Sequence, residues 1–158
     1  MLKEMSRAFV KNLEDSPAQD LPDRAISPLP NLVTAHGLAL IEAEIARLEH
    51  EQATAVTAQD RSAIARTSRD LRYWTARRAS AEVIPPPNGA TEVRFGSVVT
   101  IARDDGRTQT FRIVGEDEAN PVHGTLSHIS PLARALFGKE VGDVIKVGHA
   151  EAEVVKIE

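Results

Sequence analysis

The sequence predicts an α+β protein: an N-terminal antiparallel helical hairpin (a coiled coil) followed by an antiparallel sheet with one short helix. Three observations predict it. Apolar residues recur at a 3-4-3 spacing through Leu38, Ile41, Ile45 and Leu48, and a second stripe runs through Ile64, Thr67, Leu71, Trp74 and Ala81. That spacing places each set on one side of a helix. The run Pro85-Pro86-Pro87-Asn88-Gly89-Ala90 then breaks the period, as a linker does. Beyond it, β-type runs separated by glycine and aspartate turns replace the helical spacing.

The segments follow in order. Residues 1–31 read as an extended arm, because Pro17, Pro22, Pro28 and Pro30 interleave with Asp15, Asp20 and Asp23. Proline fixes φ, removes a donor and pushes the preceding residue out of the α region. Phe9 and Val10 are the residues that could anchor it.

Residues 32–84 carry the hairpin, with the connection expected where the apolar period lapses, at Thr54–Asp60, and Asp60 or Thr57 as N-cap of the second helix. Narrow stripes joined by a short turn pack antiparallel, in arms of roughly 30–35 Å. Charge divides between the arms: Glu42, Glu44, Glu49 and Glu51 on the first, Arg61, Arg66, Arg69, Arg72, Arg77 and Arg78 on the second. Opposite charges could set the pairing of the arms. Alternatively the basic face, Arg66, Arg69 and Arg72 above all, meets RNA or DNA phosphates.

After the linker at 85–91, residues 92–158 form the second domain. Val93–Ile101 leads to a hairpin turn at Asp104-Asp105-Gly106, and Thr108–Val114 returns and closes at Gly115. Ser130-Pro131 opens a short helix that Gly138 ends, with Ser as N-cap, Pro at N1 and Gly beyond the C-terminus. Val144–Val147 and Ala152–Ile157 are the final strands around Gly148.

Composition limits the chemistry. The chain has 158 residues, no cysteine and a net charge of −4. Disulfides, cysteine-held zinc, iron–sulfur clusters and thiol catalysis are thereby excluded, and the negative balance argues against strong unaided nucleic-acid binding. Aromatics make up 4 % of residues, too few to line a large pocket for a flat cofactor. His36, His50, His123, His128 and His149 are dispersed without metal-ligand spacing, and no phosphate-cradling glycine loop or serine elbow occurs. No metal, no cofactor and no catalytic residue is expected. No apolar run approaches the roughly 18 residues of a membrane span. Met1–Arg7 lacks the apolar stretch of a secretion signal, so the expected location is the cytoplasm.

One set of motifs is more specific. Phe95-Gly96-Ser97-Val98-Val99-Thr100 is followed by Phe111–Asn120, by Ser130–Lys139, by Val141-Gly142-Asp143 and by Glu153–Ile157. In that order they resemble the C-terminal domain of the GreA/GreB transcription elongation factors. The hairpin before them is similar to the family's N-terminal coiled coil. The resemblance implies an FKBP-like C-terminal fold without isomerase activity. It also implies a non-enzymatic factor that binds bacterial RNA polymerase and docks at its secondary channel. The implied docking residues are Asp117, Glu118, Ala119, Asn120, Ser130 and Pro131, expected as exposed positions held by a rigid sheet.

In full members, acids at the hairpin tip help hold a magnesium of the polymerase, which then hydrolyses backtracked RNA by two-metal chemistry. Here the family's tip motif is missing, and each arm is shorter by roughly ten residues, about three turns. Glu49, Glu51 and Asp60 are the acids near the turn. This pattern is similar to the short-coil regulator branch, and it implies docking with weak or absent stimulation of cleavage. Two other readings are an FKBP-like prolyl isomerase, which would need Phe95, Phe111 and Phe137 in a pocket, and a generic interaction module with a self-associating hairpin.

Overall fold

The computed structural model describes residues 21–158. Phe9, Val10, Asp15, Pro17 and Asp20 lie outside the described residues. Residues 21–31 carry no regular secondary structure, as their prolines predict. The described residues divide into two compact units, one taking residues 21–26 with Glu44–Ala76, the other Ser27–Ala43 with Arg77–Glu158. Residues 27–43 and 77–84 thus group with the sheet in the second unit.

Two long helices make the hairpin, α1 at Ala35–Thr57 and α2 at Arg61–Ser80. Their lengths of 23 and 20 residues correspond to about 35 and 30 Å. In the first unit, Ile45, Leu48, Ala55, Ala63 and Thr67 are buried. The polar member of that seam satisfies itself, because the Thr67 hydroxyl donates to the Ala63 carbonyl at 2.8 Å. Gln52 donates to the Ser68 hydroxyl at 2.8 Å, and Arg66 to Glu51 at 2.6 Å, so opposite charges do link the arms.

The turn is tighter than the lapsed period predicts. α1 continues through Thr57, and only Ala58–Asp60 connect the helices. Alanine and threonine on the wet side keep helical backbone without adding to the apolar stripe, so periodicity ends before the helix does. Gln59 adopts φ 54°. Its N–H donates to the Val56 carbonyl at 3.1 Å, and that of Asp60 to the Ala55 carbonyl at 2.9 Å. These two bonds form a Schellman motif with glutamine at the position glycine usually takes. Asp60 then caps α2, its carboxylate accepting from the Ala63 N–H at 3.0 Å; Thr57 has no part in that cap.

In the second unit, β1 (Leu32–Val33) pairs in parallel with β2 (Glu82–Val83). The main sheet has the order β5-β4-β3-β7-β6, with β3 Val98–Arg103, β4 Thr108–Val114, β5 Thr125–Ser127, β6 Val144–Val147 and β7 Ala150–Ile157. The antiparallel expectation holds for β3–β4, β3–β7 and β6–β7, whereas β4 and β5 run parallel. β5 is three residues long, too short for an alternating pattern to announce it. A parallel partner requires a crossover, and residues 115–124 supply it.

The core gathers Val93, Phe95, Val99, Ile101, Ile113, Leu136, Ile145 and Val154 around the inner face. α3 (Pro131–Leu136) covers it, capped by Ser130, whose hydroxyl accepts from the Ala133 N–H at 3.3 Å. Gly138 follows at φ 77°. Val93 and Phe95, expected within the first strand, precede it and are buried as part of the core.

Candidate functional site

The crossover between β4 and β5 carries the acidic run, and the second unit holds it from several sides. Gly115 comes first because nothing larger fits: a Cβ there would lie 2.5 Å from the Leu32 carbonyl oxygen. The N–H groups of Glu118 and Ala119 both donate to the Gly115 carbonyl, at 3.3 and 3.2 Å, curling the backbone over it. The Asn120 N–H reaches the Thr125 hydroxyl at 2.7 Å, which ties the end of the loop to β5.

The side chains of the run face inward to a degree the sequence hides. Arg77, at the end of α2, is buried, with its side chain 2 % exposed. Its Nε donates to Asp117 at 2.6 Å, one Nη donates to the Asn31 amide oxygen at 2.7 Å, and the same nitrogen lies 3.5 Å from Glu116. Asn31 answers by donating to the Arg77 carbonyl at 2.8 Å and to the Ser80 hydroxyl at 3.1 Å. Buried charges persist only when paired and hydrogen-bonded, and this arginine meets both conditions.

Glu118 has a separate partner. Its carboxylate accepts from the Thr34 hydroxyl at 2.8 Å, while that hydroxyl accepts from the Gly37 N–H at 2.9 Å as the N-cap of α1. A carboxylate at a helix N-terminus also meets the positive end of the dipole.

Four of the six implied docking residues thus differ from the exposed loop positions expected. Asp117 and Glu118 are engaged by Arg77 and Thr34, because the crossover brings the run against the ends of both helices. Asn120 and Pro131 are exposed, and Ala119 and Ser130 are half-buried. Arg77, read from sequence as one of the basic residues of the second arm, organises the cluster together with Asn31 and Thr34. Thr34 could have been found as a cap before an apolar stripe. Neither Arg77 nor Asn31 carries any sequence signal.

A cavity of about 380 Å³ opens beside this cluster, lined by Thr34, His36, Ile84, Pro86, Arg112 and Glu118 among others. Among the described residues that line it there is no phenylalanine, tyrosine or tryptophan. Phe95 lies in the core, and Phe111 and Phe137 pack against it, so the aromatic pocket an isomerase needs is not formed by these residues. His128 is buried, with its Nε2 lacking a hydrogen-bond partner among the described residues, and meets the Phe95 ring edge-on at 5.5 Å. Burial holds its pKa below the ordinary histidine value.

At the other site, the tip, each acid already has a structural role or sits apart. Asp60 caps α2. Glu51 is gripped by Arg66 at 2.6 Å and Arg47 at 2.9 Å, and those hydrogen bonds, that of Arg66 foremost, hold its carboxyl below the usual range. Glu49 is exposed on α1. Among the described residues no three histidine, aspartate or glutamate side chains gather as a metal site.

The basic face is also paired. Arg66 meets Glu51, Arg69 meets Asp70 at 3.1 Å, and Arg72 meets Asp23 at 2.6 Å. Arg24 lies 3.6 Å from Asp70, and its guanidinium sits over the Tyr73 ring, 3.9 Å from the centroid. No helix among the described residues is long and apolar enough to cross a membrane.

The family described as "Transcription elongation factor, GreA/GreB, C-term" matches residues 87–158. Transcription elongation factor GreA of Ruegeria pomeroyi is 33 % identical over 153 residues, covering 80 % of this chain and 96 % of that protein. The chain therefore belongs to the GreA/GreB transcription elongation factor family. GreA of Hyphomonas neptunium is 48 % identical over 85 residues, covering 50 % of this chain and 54 % of that protein. The match to GreB of Neisseria meningitidis serogroup B covers 59 % of its length; against such relatives the chain spans little more than half their length. A crystal structure of Gfh1, a GreA factor homolog of Thermus thermophilus, is 21 % identical with a TM-score of 0.40, covering 82 % of this chain and 99 % of that one.

Proposed function

We propose that this protein binds bacterial RNA polymerase as a regulator of elongation, docking beside the secondary channel and stimulating transcript cleavage weakly or not at all. It is not itself the enzyme in this scheme. The observation that carries the second clause is the state of the tip. A tip that lends magnesium ligands to the polymerase needs carboxylates aimed at solvent and unencumbered. Asp60 instead uses one carboxylate oxygen to accept from the Ala63 N–H, Glu51 is held by two arginines, and the exposed Glu49 lies on α1 well before the turn. Asp60 is the sole acid in the turn itself, residues 58–60.

Support for docking comes from family membership and from the rigidity of the crossover. A loop pinned by a buried arginine, a helix cap and a strand hydroxyl pays little ordering entropy on binding. It presents Asn120, and α3 begins with the exposed Pro131. The magnesium belongs to the polymerase, and the factor brings no cofactor.

The experiment is co-migration of the purified protein with core RNA polymerase, followed by RNA shortening on backtracked complexes. Saturable binding weakened by Asn120→Ala or Pro131→Ala, with cleavage at the polymerase's own basal rate, is the expected outcome. Brisk shortening abolished by Asp60→Ala would overturn the weak-cleavage clause. No binding at micromolar protein would overturn the partner.

A further inference from the structure

We propose that residues 21–24 form a strap that lies on α2 and withholds Arg72 and Tyr73 from single-stranded nucleic acid. The inference rests on reading the Arg66, Arg69 and Arg72 face as the one that meets nucleic acid, and it adds a device that controls access to it.

The strap occupies the positions a nucleotide would take. Single strands are bound by cationic side chains on the phosphates and by flat faces on which bases stack. Arg69, Arg72 and Tyr73 follow i, i+3, i+4 spacing and so share one side of α2. The Asp23 carboxylate stands 2.6 Å from the Arg72 Nε, where a phosphate oxygen would accept the same bond. The guanidinium carbon of Arg24 sits over the Tyr73 ring, 3.9 Å from its centroid, where a base would stack. Arg24 also reaches toward Asp70 at 3.6 Å, and the Leu21 carbonyl accepts from an Arg72 Nη at 3.4 Å. Acid on arginine and guanidinium over ring together reproduce the two contacts by which a single strand is held.

The strap is built to release. Residues 21–26 have no regular secondary structure, so no backbone ladder fastens them. The side chain of Asp23 is 72 % exposed and that of Arg24 39 % exposed. Exposed pairs of this kind are weak and screened by salt. A polyanion offering several phosphates at once would outcompete a single carboxylate, whereas a short or singly charged ligand would not. The strap therefore raises the threshold for binding without abolishing it.

The test compares the full chain with Asp23→Asn/Arg24→Gln, a double substitution that leaves net charge unchanged. Fluorescence anisotropy of a labelled oligouridine measures affinity at low salt. Acrylamide quenching of Trp74, the single tryptophan, reports the strap itself, because Arg24 lies 5.7 Å from its ring. The double variant is expected to bind about three- to ten-fold more tightly, the range set by two exposed pairs and one cation–π contact, with a larger quenching constant. Affinity within two-fold of the parent overturns the strap. If both chains bind and Arg69→Ala weakens each, that failure belongs to the strap alone. If neither binds, the nucleic-acid reading of the face falls with it.

Discussion

Removing one partner from the Arg77 cluster should cost far more than removing any surface charge. In Asp117→Ala the guanidinium, 2 % exposed, keeps the Asn31 amide oxygen at 2.7 Å and Glu116 at 3.5 Å but loses its 2.6 Å carboxylate. Breaking a buried ion pair from one side costs about 3–5 kcal/mol, because the remaining charge stays desolvated. Glu116 can close part of the gap, so the lower end, about 3 kcal/mol, is expected. In a chain of this size that lowers the melting temperature by roughly 10 °C. The control is Arg77→Met/Asp117→Ala, which removes both charges and fills some of the volume. It should recover at least half of the loss, since exchanging a buried pair for apolar groups is often close to neutral. Thermal unfolding followed by circular dichroism, with urea titration for the free energies, reads all the variants. A drop below about 2 °C in Asp117→Ala, or a double variant no more stable than Asp117→Ala alone, would refute the claim that desolvation of Arg77 dominates.

Three further outcomes follow from named geometry. Gln59→Gly should stabilise the hairpin by about 1 kcal/mol, since glycine carries no penalty at φ 54°; a lower urea midpoint would contradict this. Gly115→Ala should destabilise by about 2 kcal/mol or more, because the new Cβ would sit 2.5 Å from a backbone oxygen that cannot swing away; unchanged stability would mean that β1 yields. His128 should make stability fall on mild acidification. Its folded pKa lies below the unfolded value, so below the ordinary histidine pKa of about 6.5 the unfolded chain binds more protons. The contribution is then present above that pH and lost as pH falls toward the folded value. His128→Phe should flatten the stability profile in that window, and an unaltered slope would assign it to other groups.

Much of the architecture is legible in particular residues. Ile41, Ile45 and Leu48 are buried where a 3-4-3 stripe requires them, and the Ser130-Pro131 start and Gly138 stop of α3 are read from local rules of backbone geometry. Asp60 or Thr57 is the cap by the same local rules, and the structure selects Asp60. Burial in β5 was not legible, because three residues cannot display a period of two. The end of α1 was not legible either, since Thr54–Thr57 belong to the helix by hydrogen bonding while contributing little to its apolar stripe.

The candidate site was legible only in part. Its acidic run was visible, but whether those carboxylates face a partner or the protein depends on what the crossover brings against them. The ordered motifs of residues 95–157 carried the family resemblance, and by itself the sequence also determined the α+β class, the hairpin, the Ser130 cap and the Gly138 stop. These depend on periodicity and on contacts within a few residues. Only the tertiary structure decided that Arg77 is a buried organising charge, that Asp117 and Glu118 have internal partners, and that residues 21–24 lie on α2. Each of those joins groups about 40 to 84 positions apart, and no local rule reports which distant side chain will arrive. Burial then decides whether an arginine is a solvated charge or the centre of a network.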